Sequence, residues 1–166
     1  MRPTSKNVLF LCTANSARSL MAEGLMSVKS KGRYIGYSAG SHPSGRVNPY
    51  AVEMLKIISY PTENLRSKSW DEFAGPNAPH MDLIITVCAN AAGEVCPVWP
   101  GHPSTAHWGF DDPATEQGSD EHKRAAFNKI FLQIEKRIDN FLGLPLDQLS
   151  DADLKGELQK IGEAPA

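Results

Sequence analysis

The change of pattern across residues 8–25 constrains the fold more than any other feature of the chain. Four apolar residues, 8–11, predict a strand with both faces covered, as in a parallel sheet. A loop of small residues follows. From Ser16, apolar residues recur every three or four positions, which predicts an amphipathic helix ending near Gly32. A strand that passes through a short loop into a helix begins a βαβ unit, so the chain is predicted to be an α/β protein.

The rest of the chain continues this alternation. Further strands are predicted at residues 34–38, 82–88 and 105–108. A helix is predicted to begin at Pro49, because proline is tolerated in the first helical position, and it carries Val52, Leu55, Ile57 and Ile58. A helical turn is expected at residues 70–73, and one apolar stripe predicts a long helix over residues 121–142. The pattern implies a three-layer α/β/α domain with a four-stranded parallel sheet.

The last part of the chain, residues 145–166, is predicted to be a helical extension of a single domain that spans residues 1–144. A chain of 166 residues fills one core, so a second full domain is not expected. The extension holds a helix at residues 151–161, capped by Ser150 and ended by Gly162. One face of it, formed by Leu154, Leu158 and Ile161, is expected to dock on its own domain; a weak dimer contact is the alternative.

Composition limits the partners of the chain. A formal net charge of -2 gives no general attraction to nucleic acid or to an anionic membrane, so any anion site has to be built locally. No apolar run approaches the roughly 18 residues that span a membrane, and a cytoplasmic protein is expected. In a reducing compartment, the three cysteines do not predict a disulfide framework. The cysteines point instead to thiol chemistry.

The first cysteine, Cys12, stands at the carboxyl end of the first predicted strand, where open α/β sheets bind ligands. The small residues after it allow backbone N–H groups to converge on an anion, and the following helix adds the partial positive charge of its N-terminus. The same donors favour a nucleophilic thiolate. Arg18 supplies a planar fork that matches two oxygens of a tetrahedral oxyanion. The predicted oxyanion-binding residues are Thr13, Ala14, Asn15, Ser16, Ala17, Arg18 and Ser19, the last with a hydroxyl that reaches the sulfur.

The alternative for Cys12 is a small buried hydrophobe, with Arg18 as a solvated helix residue. A Cys-x5-Arg spacing alone is common, and the strand before it and the helix after it give it weight.

Four stretches in order resemble the low-molecular-weight protein tyrosine phosphatase superfamily, and within it the arsenate reductase branch. They read VLFLCTANSARSLMAEGL, YSAGSHPSGRVNPYAVEML, DLIITVCANAAGEVCPVWPG and HWGFDDPA. The resemblance covers most of residues 7–114 and leaves the long helix in the expected place. It implies the phosphatase fold, an enzyme that reduces arsenate to arsenite, and residual phosphatase activity.

Thiolate attack on an oxyanion expels an oxygen, which leaves faster when a carboxylic acid protonates it. Asp111 and Asp112 precede a proline in the sequence FDDPA, a pattern that is also common in simple turns. The resemblance implies that the aspartate immediately before the proline, Asp112, is the general acid.

Arsenate reduction needs two electrons, and thiols are their natural source. Cys88 ends a predicted strand and is expected at the same sheet edge as Cys12, while Cys96 lies in a loop of small residues. The resemblance implies a relay in three steps. Cys12 attacks arsenate, and Cys88 then attacks the sulfur of Cys12, which releases arsenite and forms a Cys12–Cys88 disulfide. Cys96 attacks Cys88, which moves the disulfide to Cys88–Cys96.

The residues alone leave other roles open for this pair. Cys88 is also compatible with a core position, and Cys96 with a chance position in a loop. The seven residues between them are not a zinc-finger spacing, so no metal site is predicted.

The resemblance implies no tightly bound cofactor and an external thiol reductant, either thioredoxin or glutathione with glutaredoxin. Two departures from the family pattern bear on this reductant. Ala17 stands where relatives often carry a second thiol, so the relay has to run through Cys88. The spacing from Cys88 to Cys96 is one residue longer than in the best-understood thioredoxin-coupled members.

Two other functions remain as alternatives. A tyrosine phosphatase of this fold needs only Cys12, Arg18 and Asp112, but usually carries an aromatic pair after the acid loop, and the sequence DDPATEQGSDEH has none. The second alternative is a non-catalytic oxyanion-binding or redox-sensing module. The chain is expected to be a monomer or a weak dimer.

Overall fold

A computed structural model describes residues 6–88, 99, 101 and 105–163. Within them lies one sheet of four parallel strands in the order β2-β1-β3-β4. The strands are β1 (Lys6–Cys12), β2 (Tyr34–Gly40), β3 (Leu83–Cys88) and β4 (Ala106–Phe110). The helices are α1 (Arg18–Lys29), α2 (Pro49–Ile57), α3 (Asp120–Leu142) and α4 (Asp151–Glu163). The predicted α/β class and four-stranded parallel sheet are confirmed.

The two faces of the sheet are covered differently. Alternate side chains of β1 point to opposite faces, so Val8 and Phe10 join one buried cluster and Leu9 and Leu11 join another. Buried residues from all four helices belong to the first cluster. On the other face, the predicted turn at 70–73 forms a 3-10 helix, Trp70–Phe73. Its Trp70 ring stacks on Trp99, with centroids 5.6 Å apart and planes 6° apart.

The first two helices differ in detail from their sequence patterns. Helix α1 begins at Arg18 rather than Ser16, because the residues before it form a loop after β1, with a positive φ of 49° at Asn15. It ends at Lys29, a turn earlier than expected. In α2 the buried residues are Ala51, Met54 and Leu55, a three- and four-residue spacing. Ile57, one of the apolar residues expected in this helix, ends it and is 72% exposed.

The long helix α3 begins at Asp120, one residue before the predicted start, and the hydroxyl of Ser119 caps it by accepting from the N–H of His122. The predicted stripe is buried at Phe127, Ile130, Phe131, Ile134, Ile138 and Phe141. One charged residue, Arg137, shares this buried face. No described helix is both long enough and apolar enough to cross a membrane.

Helix α4 does not end at Gly162, as its sequence predicts, but continues to Glu163. A Cβ atom at Gly162 would lie 2.2 Å from the carbonyl oxygen of His107 and 2.8 Å from a side-chain carbon of Trp108. Glycine is therefore present here because the helix approaches β4 closely, and not because the helix stops.

Helix α4 packs against the edge strand β4. The hydroxyl of Ser150 caps the helix as predicted, by accepting from the N–H of Asp153. The indole N–H of Trp108 donates to the carbonyl oxygen of Leu158 over 2.9 Å. The apolar face of Leu154, Leu158 and Ile161 is buried in the main cluster. The helix thus docks on its own chain, while the domain boundary at residue 144 stays a prediction.

Candidate active site

The loop between β1 and α1 turns its carbonyl groups outwards, onto the segment 41–48. The carbonyl oxygens of Cys12 and Thr13 accept from the N–H groups of Ser41 (3.2 Å) and His42 (2.9 Å). Those of Ala14 and Ser16 accept from the N–H groups of Ser44 (3.0 Å) and Asn48 (2.8 Å). In a planar trans peptide the N–H points away from the carbonyl. The N–H groups of residues 13–15 and 17 therefore face the inside of the loop, an arrangement that suits the binding of an anion.

The end of β2 holds this loop from behind. A Cβ atom at Gly40 would lie 2.4 Å from the carbonyl oxygen of Thr13 and 3.0 Å from the amide nitrogen of Asn15. Only glycine permits this approach, so Gly40 fixes the distance between β2 and the loop. The hydroxyl of Ser67 also donates to Ala14 O, over 2.8 Å.

The thiol of Cys12 is free, buried and hydrogen-bonded. Its sulfur accepts from the N–H of Asn15 at 3.2 Å and lies 3.0 Å from the hydroxyl oxygen of Ser19. The side chain of Asn15 fixes the direction of that second bond. The backbone N–H of Lys68 can only donate, so the atom facing it at 2.9 Å is the acceptor Oδ1 of Asn15. Nδ2 of Asn15 then donates to Ser19 Oγ over 2.8 Å, which leaves the Ser19 hydrogen for the sulfur.

The amine of Lys68 lies behind the loop in a partly buried cluster of oxygens. Burial lowers the pKa of Lys68, because desolvation penalises the ammonium form, and the charge of Glu23 opposes this shift. The oxygens around Nζ are Arg66 O (3.0 Å), Asn15 Oδ1 (3.4 Å), Ser38 Oγ (3.4 Å) and Glu23 Oε1 (3.9 Å). Lys68 lies in a mixed segment without periodicity, so no sequence pattern marks it.

The carboxylate of Glu23 is the buried anion of this cluster. It accepts from the hydroxyl of Ser38 and from the phenol of Tyr60, both over 2.6 Å. Burial and the nearby negative charge of Glu23 raise the pKa of Tyr60 above its ordinary value. The loop therefore rests on a network of polar groups that come from three separate parts of the chain.

Arg18, the first residue of α1, joins the loop to the segment that carries the predicted acid. Its guanidinium is buried, and Nη1 donates to the carbonyl oxygen of Phe110 over 2.9 Å. Nη2 lies 3.7 Å from Oδ2 of Asp112. The other carboxylate oxygen of Asp112 accepts from the N–H of Ala114 over 2.9 Å. Asp111 is exposed, so Asp112 is the aspartate with a contact to Arg18.

The second cysteine, Cys88, is the last residue of β3 and is fully buried. In the parallel register Leu11 pairs with Thr86, so Cys12 and Cys88 end neighbouring strands at the same edge of the sheet. Cys88 is disulfide-bonded and Cys12 is a free thiol, so this disulfide does not involve Cys12. Cys96, the third residue of the predicted relay, lies outside the described residues.

Metal-ligating side chains do not cluster in the part of the chain that the structure describes, where no group of three or more His, Cys, Asp or Glu residues is arranged to hold an ion. The site as described consists of a thiol, backbone N–H groups, one guanidinium and one carboxylate. These groups suit nucleophilic attack on an oxyanion with proton transfer to the oxygen that leaves.

Comparison with known proteins agrees with this geometry. The family model described as low molecular weight phosphotyrosine protein phosphatase matches residues 7–160. The chain belongs to this family. It is 42% identical over 136 residues to an arsenate reductase of Halalkalibacterium halodurans and 40% identical over 137 residues to one of Bacillus subtilis. These alignments cover 82% of this chain and 94% and 95% of the two relatives.

A solved structure gives the same result for the fold. The crystal structure of an arsenate reductase from Archaeoglobus fulgidus superimposes with a TM-score of 0.66 at 28% sequence identity. The match covers 82% of this chain and 99% of that one. The family's fold, expected from four sequence motifs, is confirmed.

Proposed function

We propose that this chain is an enzyme that reduces arsenate to arsenite. The observation that carries the proposal is the position of Cys88, a disulfide-bonded cysteine at the end of the strand next to the one that ends in Cys12. Hydrolysis of a phosphate ester needs a nucleophile and an acid, whereas reduction needs a thiol that supplies electrons. The relatives at 40% and 42% identity are arsenate reductases, which supports the same choice.

The first step is attack of the Cys12 thiolate on the arsenic of arsenate. The hydroxyl of Ser19 and the N–H of Asn15 stabilise the thiolate by hydrogen bonds. The remaining N–H groups of the loop and the guanidinium of Arg18 bind the oxygens of the anion, whose charge they neutralise. Asp112 donates a proton to the departing oxygen, which leaves as water, and an arsenic–sulfur bond is formed.

The second step transfers two electrons to arsenic. The thiolate of Cys88 attacks the sulfur of Cys12, the arsenic–sulfur bond breaks, and arsenic leaves as arsenite with the electron pair of that bond. A Cys12–Cys88 disulfide results. Cys96 then attacks Cys88, which frees Cys12 for another turnover and leaves a Cys88–Cys96 disulfide. A free Cys12 together with a disulfide-bonded Cys88 is the pattern expected at the end of this relay.

The final disulfide has to be reduced by an external dithiol or thiol. We propose thioredoxin as the reductant, with glutathione and glutaredoxin as the alternative, in a reducing cytoplasm. The thioredoxin and glutathione systems are compared by adding each one to the purified chain with arsenate and measuring the rate of NADPH consumption. A rate with thioredoxin and thioredoxin reductase that exceeds the rate with the glutathione system supports the first choice.

The test of the relay uses three cysteine variants in reductant-coupled arsenate turnover. Cys12→Ser is expected to form no adduct. Cys88→Ser is expected to bind arsenate and release no arsenite. Cys96→Ser is expected to release one equivalent of arsenite and to stop with a Cys12–Cys88 disulfide, which mass spectrometry of peptides identifies. Catalytic turnover by Cys88→Ser and Cys96→Ser at the wild-type rate would exclude the relay.

Hydrolysis of an aryl phosphate is the matched control, because it needs Cys12, Arg18 and Asp112 but neither of the other cysteines. Residual hydrolysis by Cys88→Ser therefore indicates an intact anion loop. Phosphate hydrolysis without arsenate reduction by the wild type would favour the second candidate, a low-molecular-weight phosphatase, which the family membership supports. Binding of phosphate without any turnover would favour a non-catalytic oxyanion-binding module.

A further inference from the structure

We infer that Arg137 of α3 is a positioning residue for the acid loop, because it holds the end of β4 directly before Asp112. The inference rests on the proposed function, in which Asp112 protonates the oxygen that leaves. Arg137 does not belong to the anion loop, and it is the charged residue on the otherwise apolar buried face of α3.

Two guanidinium groups hold consecutive carbonyl groups at the end of β4. Nη1 of Arg137 donates to the carbonyl oxygen of Gly109 over 2.9 Å, and Nη1 of Arg18 donates to that of Phe110 over 2.9 Å. Consecutive carbonyl groups of a strand point to opposite sides, so the two arginines hold the strand from two directions. One belongs to α1 and the other to α3.

Arg137 also restrains the side chain at this point. Its guanidinium carbon lies 4.5 Å from the centroid of the Phe110 ring, a cation–π distance. Phe110 is the last residue of β4, and Asp112 follows two residues later. The direction in which the chain leaves the sheet is therefore set by Arg137 through the backbone of Gly109 and the ring of Phe110.

Packing alone does not account for an arginine at this position. Arg137 is 7% exposed, and desolvation lowers the pKa of its guanidinium. Replacing a buried charged group by an apolar residue of similar size is often neutral or favourable for stability. The neighbouring positions Ile134 and Ile138 show what the same helix face contains where it only packs. We therefore attribute the buried guanidinium of Arg137 to its contacts with Gly109 and Phe110.

The consequence for the reaction is specific. Without the Gly109 and Phe110 contacts, the end of β4 gains freedom and Asp112 spends less time at the oxygen that leaves. A misplacement on the order of 1 Å lowers a rate by up to about 100-fold. The thiol of Cys12 and its hydrogen bonds are held by other residues, so its reactivity is expected to stay the same.

The experiment is a double-mutant cycle between Arg137→Met and Asp112→Asn, measured as kcat and KM for arsenate and, in parallel, for an aryl phosphate with a poor leaving group. Arg137→Met is expected to lower kcat about 10- to 100-fold in the wild-type background with KM within about twofold. In the Asp112→Asn background it is expected to cause no further loss, because the group that it positions is already gone. Arg137→Lys, which keeps a cation and a donor, is expected to recover part of the rate.

Two controls separate positioning from a general loss of structure. Alkylation of Cys12 by iodoacetamide is expected to be the same in Arg137→Met and wild type, measured well below the melting temperature of each. Arg124→Met, on the same helix but exposed and paired with Glu53, is expected to keep the wild-type kcat.

An equal loss of kcat in both backgrounds would overturn the inference, and so would a loss of Cys12 alkylation that matches the loss of kcat. If the wild type reduces no arsenate, the proposed function fails, while the cycle with the aryl phosphate still decides on Arg137. If the chain hydrolyses no phosphate either, or if Asp112→Asn turns over as fast as wild type, Asp112 is not an acid and the inference fails with it.

Discussion

Ser19→Ala tests the inferred hydrogen bonds of the site most directly, because it removes the hydroxyl group whose hydrogen points at the sulfur of Cys12. The hydroxyl of Ser19 lies 3.0 Å from that sulfur and accepts from Asn15 on its other side. A hydrogen bond to a charged group contributes about 1.5–3 kcal/mol. At about 1.4 kcal/mol for each factor of ten, this energy corresponds to a factor of about 10 to 100 in the equilibrium between thiolate and thiol, and the loss of the bond favours the thiol.

The expected loss of reactivity is smaller than the loss of thiolate. A less stabilised thiolate is intrinsically more nucleophilic, with a Brønsted coefficient of about 0.4–0.5, so where the thiol form predominates the rate of alkylation falls by about 3- to 16-fold. The assay is the second-order rate of iodoacetamide with Cys12 at pH 7, in chain whose other two cysteines are replaced by serine. Arsenate turnover is expected to fall when Ser19→Ala is made in the chain that keeps all three cysteines.

The matched control is Ser67→Ala, which also deletes a hydroxyl next to the loop. Ser67 donates to the outward-facing carbonyl of Ala14 and does not touch the sulfur, and that carbonyl keeps its bond from Ser44. Its alkylation rate is expected to stay within about twofold of wild type, since the net value of such a bond is about 0.5–1.5 kcal/mol of stability. Equal alkylation rates in the Ser19 and Ser67 variants would refute the chain of donors inferred here.

Two further predictions concern stability. Burial and the charge of Glu23 raise the pKa of Tyr60, so the folded chain keeps a proton that the unfolded chain loses above a pH of about 10. Tyr60 therefore adds stability that is present below that pH and is lost as the pH rises above it. In urea unfolding, the free energy of unfolding of Tyr60→Phe is expected to decline less steeply at alkaline pH than that of wild type. Identical declines in the two proteins would contradict this. Gly162→Ala is expected to lower the free energy of unfolding by about 1–3 kcal/mol, because its Cβ meets the carbonyl oxygen of His107. Gly156→Ala on the same helix places its Cβ in open space and is expected to raise the free energy of unfolding by up to about 1 kcal/mol. Thermal melting of both variants in parallel checks the pair, and equal shifts would mean that α4 does not pack closely on β4.

Local patterns predicted the framework of this chain well. The apolar run before Cys12 and the helical spacing after the loop are properties of neighbouring residues, so they can be recognised without knowledge of the fold. The same holds for the Ser150 cap and for the stripe of α3. Cys12, Arg18 and Asp112 could be selected as candidates because few residue types suit this chemistry and family motifs mark their positions. The structure brings Arg18 and Asp112 into contact, and the catalytic roles stay predictions.

The parts that could not be predicted depend on contacts between distant segments. Lys68 reaches Asn15 across 53 positions of the chain, and Arg137 reaches Gly109 across 28. Gly162 has the sequence signature of a helix end, and only the approach of β4 shows its other role. Arg137 did carry a signal, since a charged residue within an apolar stripe is unusual, but its partner could not be named from the sequence.

In the proposed function, oxyanion binding and electron supply are separate properties of this site. The N–H groups of the loop and the fork of Arg18 respond to charge and tetrahedral shape, which arsenate and phosphate share. They have no means of distinguishing the two anions by their redox chemistry. In the proposed relay the difference arises when a second thiol attacks the sulfur of Cys12, since an arsenic–sulfur bond can give its electron pair to arsenic. The choice of reaction is therefore expected to depend on Cys88, at the end of the neighbouring strand, rather than on any residue of the loop.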